Sequence, residues 1–372
     1  MRRALLLARR GWGRTAPNPM VGAVLVRDGR VVGEGWHAEY GGAHAEAAAL
    51  AAAGERARGA DLFVTLEPCA HHGKTPPCVD AIIAAGVRRV VVALADPNPQ
   101  ARGGAAKLRA AGIEVDIGVE AEAAAALNAP FLFAHTKATR PFITLKLALS
   151  IDGAIAPGGG QQRWLTGEAA RRHVHRLRAQ ADAIGVGIGT ALADDPALTV
   201  RHGRRPRVAP VRVVFDQAAR LPLTGKLARS ARKVPVWVLA DATATNRAWA
   251  DGVAGHGAPG SHDALERMGV VVRTAGGLDQ HLAAMRADGI RHLFVEGGAG
   301  IAGALLTAGW VDRLVIFRAP VLLGAGALSA FGTLASSPLA GTGRWRIIER
   351  RAFGDDFMTE YEPPGRDSIS SR

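Results

Sequence analysis

The chain has 372 residues, which is too long for one ordinary core and suits two domains. Hydrophobic residues make up 48% and charged residues 21%, the profile of a soluble globular protein, and two cysteines are too few for a secreted disulfide scaffold. The formal charge of +13 invites a polyanion, but the basic residues are spread along the chain, which favours sites for phosphorylated small molecules over nucleic acid.

In chain order, the leucines after Arg2 and Arg3 meet Arg9 and Arg10 too soon for a signal-peptide core. They read as an amphipathic helix, and the expected location is the cytoplasm. Apolar runs at 21–26 and 31–34 flank Asp28-Gly29, a hairpin signal. An alanine-rich helix follows over 44–53, ended by Gly54. The pattern then predicts a strand at 62–66, a helix at 79–85, a strand at 89–94, a helix at 105–111 and a strand at 113–117. This order implies a mixed sheet with helices packed on it. A helix over 120–127 leads to an irregular stretch ending at Thr139-Arg140-Pro141, where the domain boundary is placed: 1–139, then 140–363, with 364–372 a polar, disordered tail.

In the second part, strands are predicted at 142–149, 183–187, 211–215, 236–240, 270–273, 293–296 and 314–318, and helices at 168–180, 278–287 and 301–308. Residues 242–259 read as a loop. The charge-free stretch 319–333 is broken by Pro320 and by glycines, so no membrane span is expected.

The densest constellation is His44-Ala45-Glu46, then Pro68-Cys69, then Cys78. A catalytic zinc takes three protein ligands and keeps a fourth position for water, and one histidine with two cysteines meets that count. The metal lowers the water's pKa so that hydroxide is the nucleophile, and Glu46 shuttles the proton to the departing amine. Residues two apart do not share a helix face, so His44 and Glu46 belong at a loop-to-helix entry. Both cysteines are expected just before or at helix starts, where the dipole favours thiolate. Zinc deaminases of nucleobases carry H-x-E followed by P-C-x-x-C; here eight residues separate the cysteines.

The run Glu67-Pro68-Cys69-Ala70-His71-His72-Gly73-Lys74-Thr75-Pro76-Pro77-Cys78 resembles the lengthened zinc loop of the bifunctional riboflavin-biosynthesis deaminase–reductases. So do Pro17-Asn18-Pro19, Asp96-Pro97-Asn98-Pro99 and Leu192-Ala193-Asp194-Asp195-Pro196. The resemblance implies a cytidine-deaminase-like N-terminal domain and a dihydrofolate-reductase-like α/β C-terminal domain. It also implies two steps: zinc-dependent deamination at C2 of 2,5-diamino-6-ribosylamino-4(3H)-pyrimidinone 5′-phosphate, then NADPH-dependent reduction of the ribosyl group to a ribityl chain. Asn18, His37, His71 and Lys74 are implied to form the first substrate pocket. A homo-oligomer is also implied.

In the second half, Gly298, Gly300 and Gly303 form a glycine-rich strand-to-helix turn that lets backbone amides approach phosphate. As a Rossmann fingerprint it is weak, since it stands late in its domain with no following acidic residue; with the resemblance it reads as a dinucleotide pyrophosphate loop. The resemblance makes Ala148, Trp164, Thr166, Thr190, Asp194 and Gly298, Ala299, Gly300, Ile301, Ala302, Gly303 and Ala304 the cofactor set. It makes Leu198, Arg201 and Glu296 the substrate set, with Arg201 facing the phosphate. Lys146, Ser150 and Asp152 belong to a family-like run whose role stays open. The chain departs from the pattern at Gly103-Gly104, where the loop is one residue short, at Gln162 and Gln217, where serine is usual, and in the glycine-rich insert 156–160. The alternative readings are a zinc deaminase of a tRNA base with an RNA-binding second domain, opposed by the lack of an aromatic stacking platform, and a non-enzymatic NADP-binding or scaffold protein with a vestigial zinc site, opposed by the intact donor set.

Overall fold

The computed structural model describes residues 1–73, 76–136, 138–158, 164–241, 261–332, 334 and 343–364. They fall into two compact units, Met1–Ala138 and a second beginning at Thr139. The expected loop at 242–259, together with Lys74 and Gln162, lies outside the described residues.

The first unit opens with helix α1 (Arg2–Ala8) and the hairpin β1 (Gly22–Arg27) and β2 (Arg30–Trp36). Asp28 and Gly29 both take positive φ, 50° and 72°, as a two-residue hairpin turn requires. Helix α2 (Ala45–Ala53), strand β3 (Asp61–Val64), helix α3 (Cys78–Ala84), strand β4 (Arg89–Val92), helix α4 (Gly104–Ala110) and strand β5 (Glu114–Ile117) follow. Helices α5 (Ala121–Leu127) and α6 (Ala129–Ala134) close the unit. The sheet order is β2-β1-β3-β4-β5, antiparallel through β1 and parallel from β3 to β5. This is the expected mixed sheet. Helix α6, unpredicted, starts with Pro130 in its first turn, where a missing N–H costs nothing.

Helix α2 lies almost in backbone contact with β2. A Cβ on Gly35 would stand 2.3 Å from the Ala45 carbonyl oxygen and 2.4 Å from the Ala49 nitrogen. Alanines on the helix and glycine on the strand permit this approach, and it sets where the helix begins. Ala45, Ala49, Leu62, Val64, Val79, Ile82, Val90 and Leu108 form the core, and Cys69 and Cys78 are part of the same cluster.

The second unit is built on β6 (Phe142–Leu149), β7 (Ala154–Ala156), α7 (Glu168–Gln180), β8 (Ala183–Gly187), α8 (Ile188–Asp194), β9 (Val211–Phe215), α9 (Lys226–Arg229) and β10 (Val236–Asp241). It continues through α10 (Ser261–Arg267), β11 (Val271–Ala275), α11 (Leu278–Ala287), β12 (His292–Glu296), α12 (Ala299–Thr307), β13 (Arg313–Arg318), β14 (Leu328–Ser329), β15 (Arg346–Phe353) and β16 (Asp356–Glu362). The main sheet runs β11-β10-β9-β8-β12-β6-β13-β16-β15, parallel up to β13 and finished by an antiparallel hairpin. Central strands such as β12 are buried at nearly every position, as parallel strands covered on both faces are. The β15–β16 hairpin was not predicted: β15 reads Arg-Ile-Ile-Glu-Arg-Arg-Ala-Phe, without clean alternation, and it is held by pairing with β16. The start of the unit is pinned by Asp312, which is wholly buried and accepts from both Arg140 Nη atoms (2.6 and 2.9 Å) and from the Ile143 amide (2.6 Å).

No helix among the described residues is long and apolar enough to cross a membrane.

Candidate functional site

In the first unit, His44 is the N-cap of α2, with extended backbone, and Glu46 sits in that helix's first turn. The loop-to-helix entry therefore places both side chains at one end of α2. Cys78 is the first residue of α3. Cys69 is not at a helix start, contrary to the reading from sequence; it lies in the extended segment between β3 and α3. Its sulfur nevertheless accepts the Cys78 amide at 3.4 Å, so the N-terminus of α3 reaches it through space.

The three donor atoms of His44, Cys69 and Cys78 lie within 4.8 Å of one another. His44 Nδ1 stands 3.2 Å from Cys78 Sγ and 3.6 Å from Cys69 Sγ. Zinc bonds to nitrogen and sulfur arranged tetrahedrally put those atoms about 3.6 Å apart. The donor set therefore fits zinc in number, kind and spacing. Glu46 is 4% exposed, and burial pushes its carboxyl up to about 7. The Cys78 thiol and His44 hold Cys69 well below the usual thiol range, while Cys78 itself is pushed up by sharing that hydrogen bond. One thiolate beside an imidazole is the arrangement a cation would replace.

His37 is buried, and burial lowers its pKa. Its Nδ1 donates to the Ala43 carbonyl (3.0 Å), which leaves Nε2 to accept from the Asn18 amide nitrogen (3.3 Å). The His37 ring also meets His44 edge-on at 5.6 Å. Asn18 and His37 thus adjoin the metal donors. The buried Nδ1 of His71 has no hydrogen-bond partner among the described residues.

In the second unit a cleft of about 1270 Å³ runs along the carboxyl ends of β10, β9, β8, β12 and β6, where parallel sheets bind ligands. Ala148, Trp164, Thr166, Thr190, Asp194, Gly298, Ala299, Gly300, Ile301 and Ala304 line it, as do Arg201 and Glu296. Ala302, Gly303 and Leu198 do not. Ala302 and Gly303 are buried on the inner side of α12, and Leu198 is 3% exposed, with a φ of +48°. Gly298 caps α12, and a Cβ there would stand 2.8 Å from Thr190 Oγ1. A side chain at residue 298 would therefore crowd Thr190 at the helix N-terminus, the end of a helix that favours an anion.

Arg178, Lys146 and His175, which sequence reasoning did not assign, also line the cleft. Arg178 Nη2 donates to Glu296 Oε2 at 2.9 Å, its Nε to Oε1, and Nη1 to the Thr199 carbonyl at 3.0 Å. Lys146 is half-buried in the cleft wall, desolvation there lowers its pKa, and Glu296 is the nearby charge that opposes this. His175 Nδ1 accepts the Arg201 amide (3.2 Å), and burial next to Arg178 holds it near 4, so the ring is neutral. Arg171, His175 and Arg178 recur at helical spacing on α7, a polar stripe that sequence alone displays once the helix is drawn.

Residues 141–359 match the RibD C-terminal domain, and residues 1–94 match the cytidine and deoxycytidylate deaminase zinc-binding region. Riboflavin biosynthesis protein RibD of Aquifex aeolicus is 43% identical over 329 residues, 88% of this chain and 87% of that protein. The chain belongs to the RibD family. Acinetobacter baumannii RibD shares 37% identity with a TM-score of 0.78, covering 97% of each chain. A Thermotoga maritima diaminohydroxyphosphoribosylaminopyrimidine deaminase/5-amino-6-(5-phosphoribosylamino)uracil reductase shares 34% identity with a TM-score of 0.77, covering 98% of this chain and 97% of that one. As a RibD, the chain is a deaminase–reductase of riboflavin biosynthesis, with a zinc-binding deaminase domain followed by a RibD reductase domain. The RibD assignment also explains why one chain carries two unlike sites.

Proposed function

We propose that the first unit removes the C2 amine of 2,5-diamino-6-ribosylamino-4(3H)-pyrimidinone 5′-phosphate and that the second reduces the ribosyl group of the product with NADPH. The observation that carries the first half is the convergence of His44, Cys69 and Cys78 beside the buried Glu46. Zinc held by those three residues supplies Lewis acidity and brings the pKa of water toward neutrality. Glu46, whose carboxyl is pushed up to about 7 by burial, would take a proton from the attacking water and return it to the departing amine. Water thus contributes oxygen to C2 and the amine leaves as ammonia. Asn18, oriented by its hydrogen bond with His37, would hydrogen-bond the pyrimidine, and His71 would join that pocket, with Lys74 assigned to it by the family resemblance alone.

The second half rests on a cleft larger than a single drug-sized ligand needs. The Gly298 end of α12 would take the cofactor pyrophosphate, and Trp164, Thr166 and Ala148 would flank its reactive end. Arg201 and Arg178 would hold the sugar phosphate. The dinucleotide supplies the hydride; the chain orients ring and sugar and excludes water.

Incubating the protein with the pyrimidinone phosphate, with and without NADPH, tests both steps. The expected masses are the deaminated ribosyl compound without NADPH and its two-hydrogen-heavier ribityl form with it. Release of no ammonia from this compound, with zinc bound, would refute the substrate assignment.

A further inference from the structure

We infer that Glu67 is a positioning residue for the metal centre, a clamp that fixes the Pro68-Cys69 turn against the 94–105 segment. The inference rests on the zinc reading of the site. Glu67 is 8% exposed, and its carboxylate accepts three backbone amides from across the fold. Oε2 takes the Asp96 amide at 3.1 Å, and Oε1 takes the Gly103 and Ala105 amides at 3.1 and 2.9 Å.

The backbone around it is tied to the same segment. The Glu67 amide donates to the Leu94 carbonyl (2.9 Å), the Ala70 amide to the Ala101 carbonyl (3.2 Å), and Lys107 Nζ to the Ala70 carbonyl (2.7 Å). The packing leaves no slack: a Cβ on Gly104 would stand 1.9 Å from the Pro68 carbonyl oxygen. Between Glu67 and Cys69 stands a single proline, whose ring locks φ. A fixed Glu67 therefore fixes the Cα of the cysteine ligand. Cys69 is then tied forward to α3, since its carbonyl accepts the Val79 amide (3.3 Å) and its sulfur the Cys78 amide.

The loop before Gly103-Gly104 passes close over Glu67 and Pro68, and both amides that Oε1 accepts come from its end. No water or ligand is needed to satisfy those amides. The hydrogen bonds of Glu67 all go to backbone groups, so it acts through the backbone of the turn.

The substitutions grade the effect. In Glu67→Gln the amide oxygen still accepts from Gly103 and Ala105, but its NH2 faces the Asp96 N–H, donor against donor. In Glu67→Ala all three amides lose their partner. Groups that orient metal ligands change affinity about 10- to 100-fold when removed. Zinc affinity, measured by competition with a chromophoric chelator, is expected to fall about 10-fold in Glu67→Gln and about 100-fold in Glu67→Ala. The visible cobalt spectrum of each cobalt-substituted variant is expected to lose intensity as the tetrahedral geometry relaxes. A residue with only a structural role would lower the melting temperature and leave that spectrum alone. Variants that bind zinc within twofold of wild type and keep its cobalt spectrum overturn the inference, whatever happens to stability. If Glu67→Ala does not fold, Glu67→Gln decides by the same two measurements. Wild-type protein that takes up no zinc overturns the site reading, and this inference with it; bound zinc with unaffected variants overturns the inference alone.

Discussion

The two halves build their sites in opposite ways. In the deaminase unit, a few side chains from three segments meet around one point, and the chemistry belongs to those side chains. In the reductase unit, the site is a long cleft made by the carboxyl ends of parallel strands and the loops after them. There the backbone and the absence of side chains matter as much as any functional group. The difference teaches that a convergent site fails at once when a single member is lost, whereas an extended cleft loses function in increments.

The sharpest test of that contrast is Cys69→Ala. With two donors left, bound zinc should fall from about one per chain to nearly none, and ammonia release with it, while NADPH binding stays. Metal analysis and cofactor titration on one sample check both. Glu46→Gln should keep zinc and lower the deamination rate by about 10²- to 10⁴-fold, with reduction of the deaminated compound unchanged. Loss of both activities in folded Glu46→Gln protein would break the contrast.

Effects in the reductase unit are expected to be smaller and to appear first as stability. Arg178→Met leaves Glu296 without its bidentate partner and should cost about 3–5 kcal/mol in chemical denaturation. His292 is buried, and desolvation holds it near 4 against an ordinary value of 6.5. The unfolded chain therefore binds a proton that the folded chain refuses. Its contribution to stability is present above pH 6.5 and is lost as the pH falls to about 4, about 3 kcal/mol in all. His292→Gln should flatten the denaturation midpoint over that window. The mildest change is Gly298→Ala, whose added Cβ crowds Thr190 Oγ1 and should weaken NADPH binding by about 1–3 kcal/mol without touching zinc. Calorimetry showing wild-type affinity would remove Gly298 from the cofactor turn.

The deaminase site was legible because its chemistry needs particular residue types. His44-Ala45-Glu46, Pro68-Cys69 and Cys78 mark candidate ligands and a candidate shuttle whatever the fold, and the structure brings the three donor atoms within 4.8 Å of one another; the Asp28-Gly29 hairpin announced the sheet that carries them. The clamp at Glu67 was not legible. A carboxylate beside a ligand turn has no pattern of its own, and its partners Asp96, Gly103 and Ala105 are 29, 36 and 38 residues away. In the reductase unit the strands could be read from apolar runs, but Arg178 and His175 gained meaning only when α7 lay along the cleft. Leu198, Ala302 and Gly303 show the reverse: they sit in the right segments, yet packing turns them inward.

What the amino-acid sequence determined by itself was the kind of chemistry, through side chains that little else can replace, and the run of core strands with their main helices, through local periodicity, but not α6 or the β15–β16 hairpin. What only the tertiary structure decided was which of the flanking residues face the sites. Direction depends on the register of one strand against the next and on how closely a helix approaches a sheet, and both are set by partners distant along the chain.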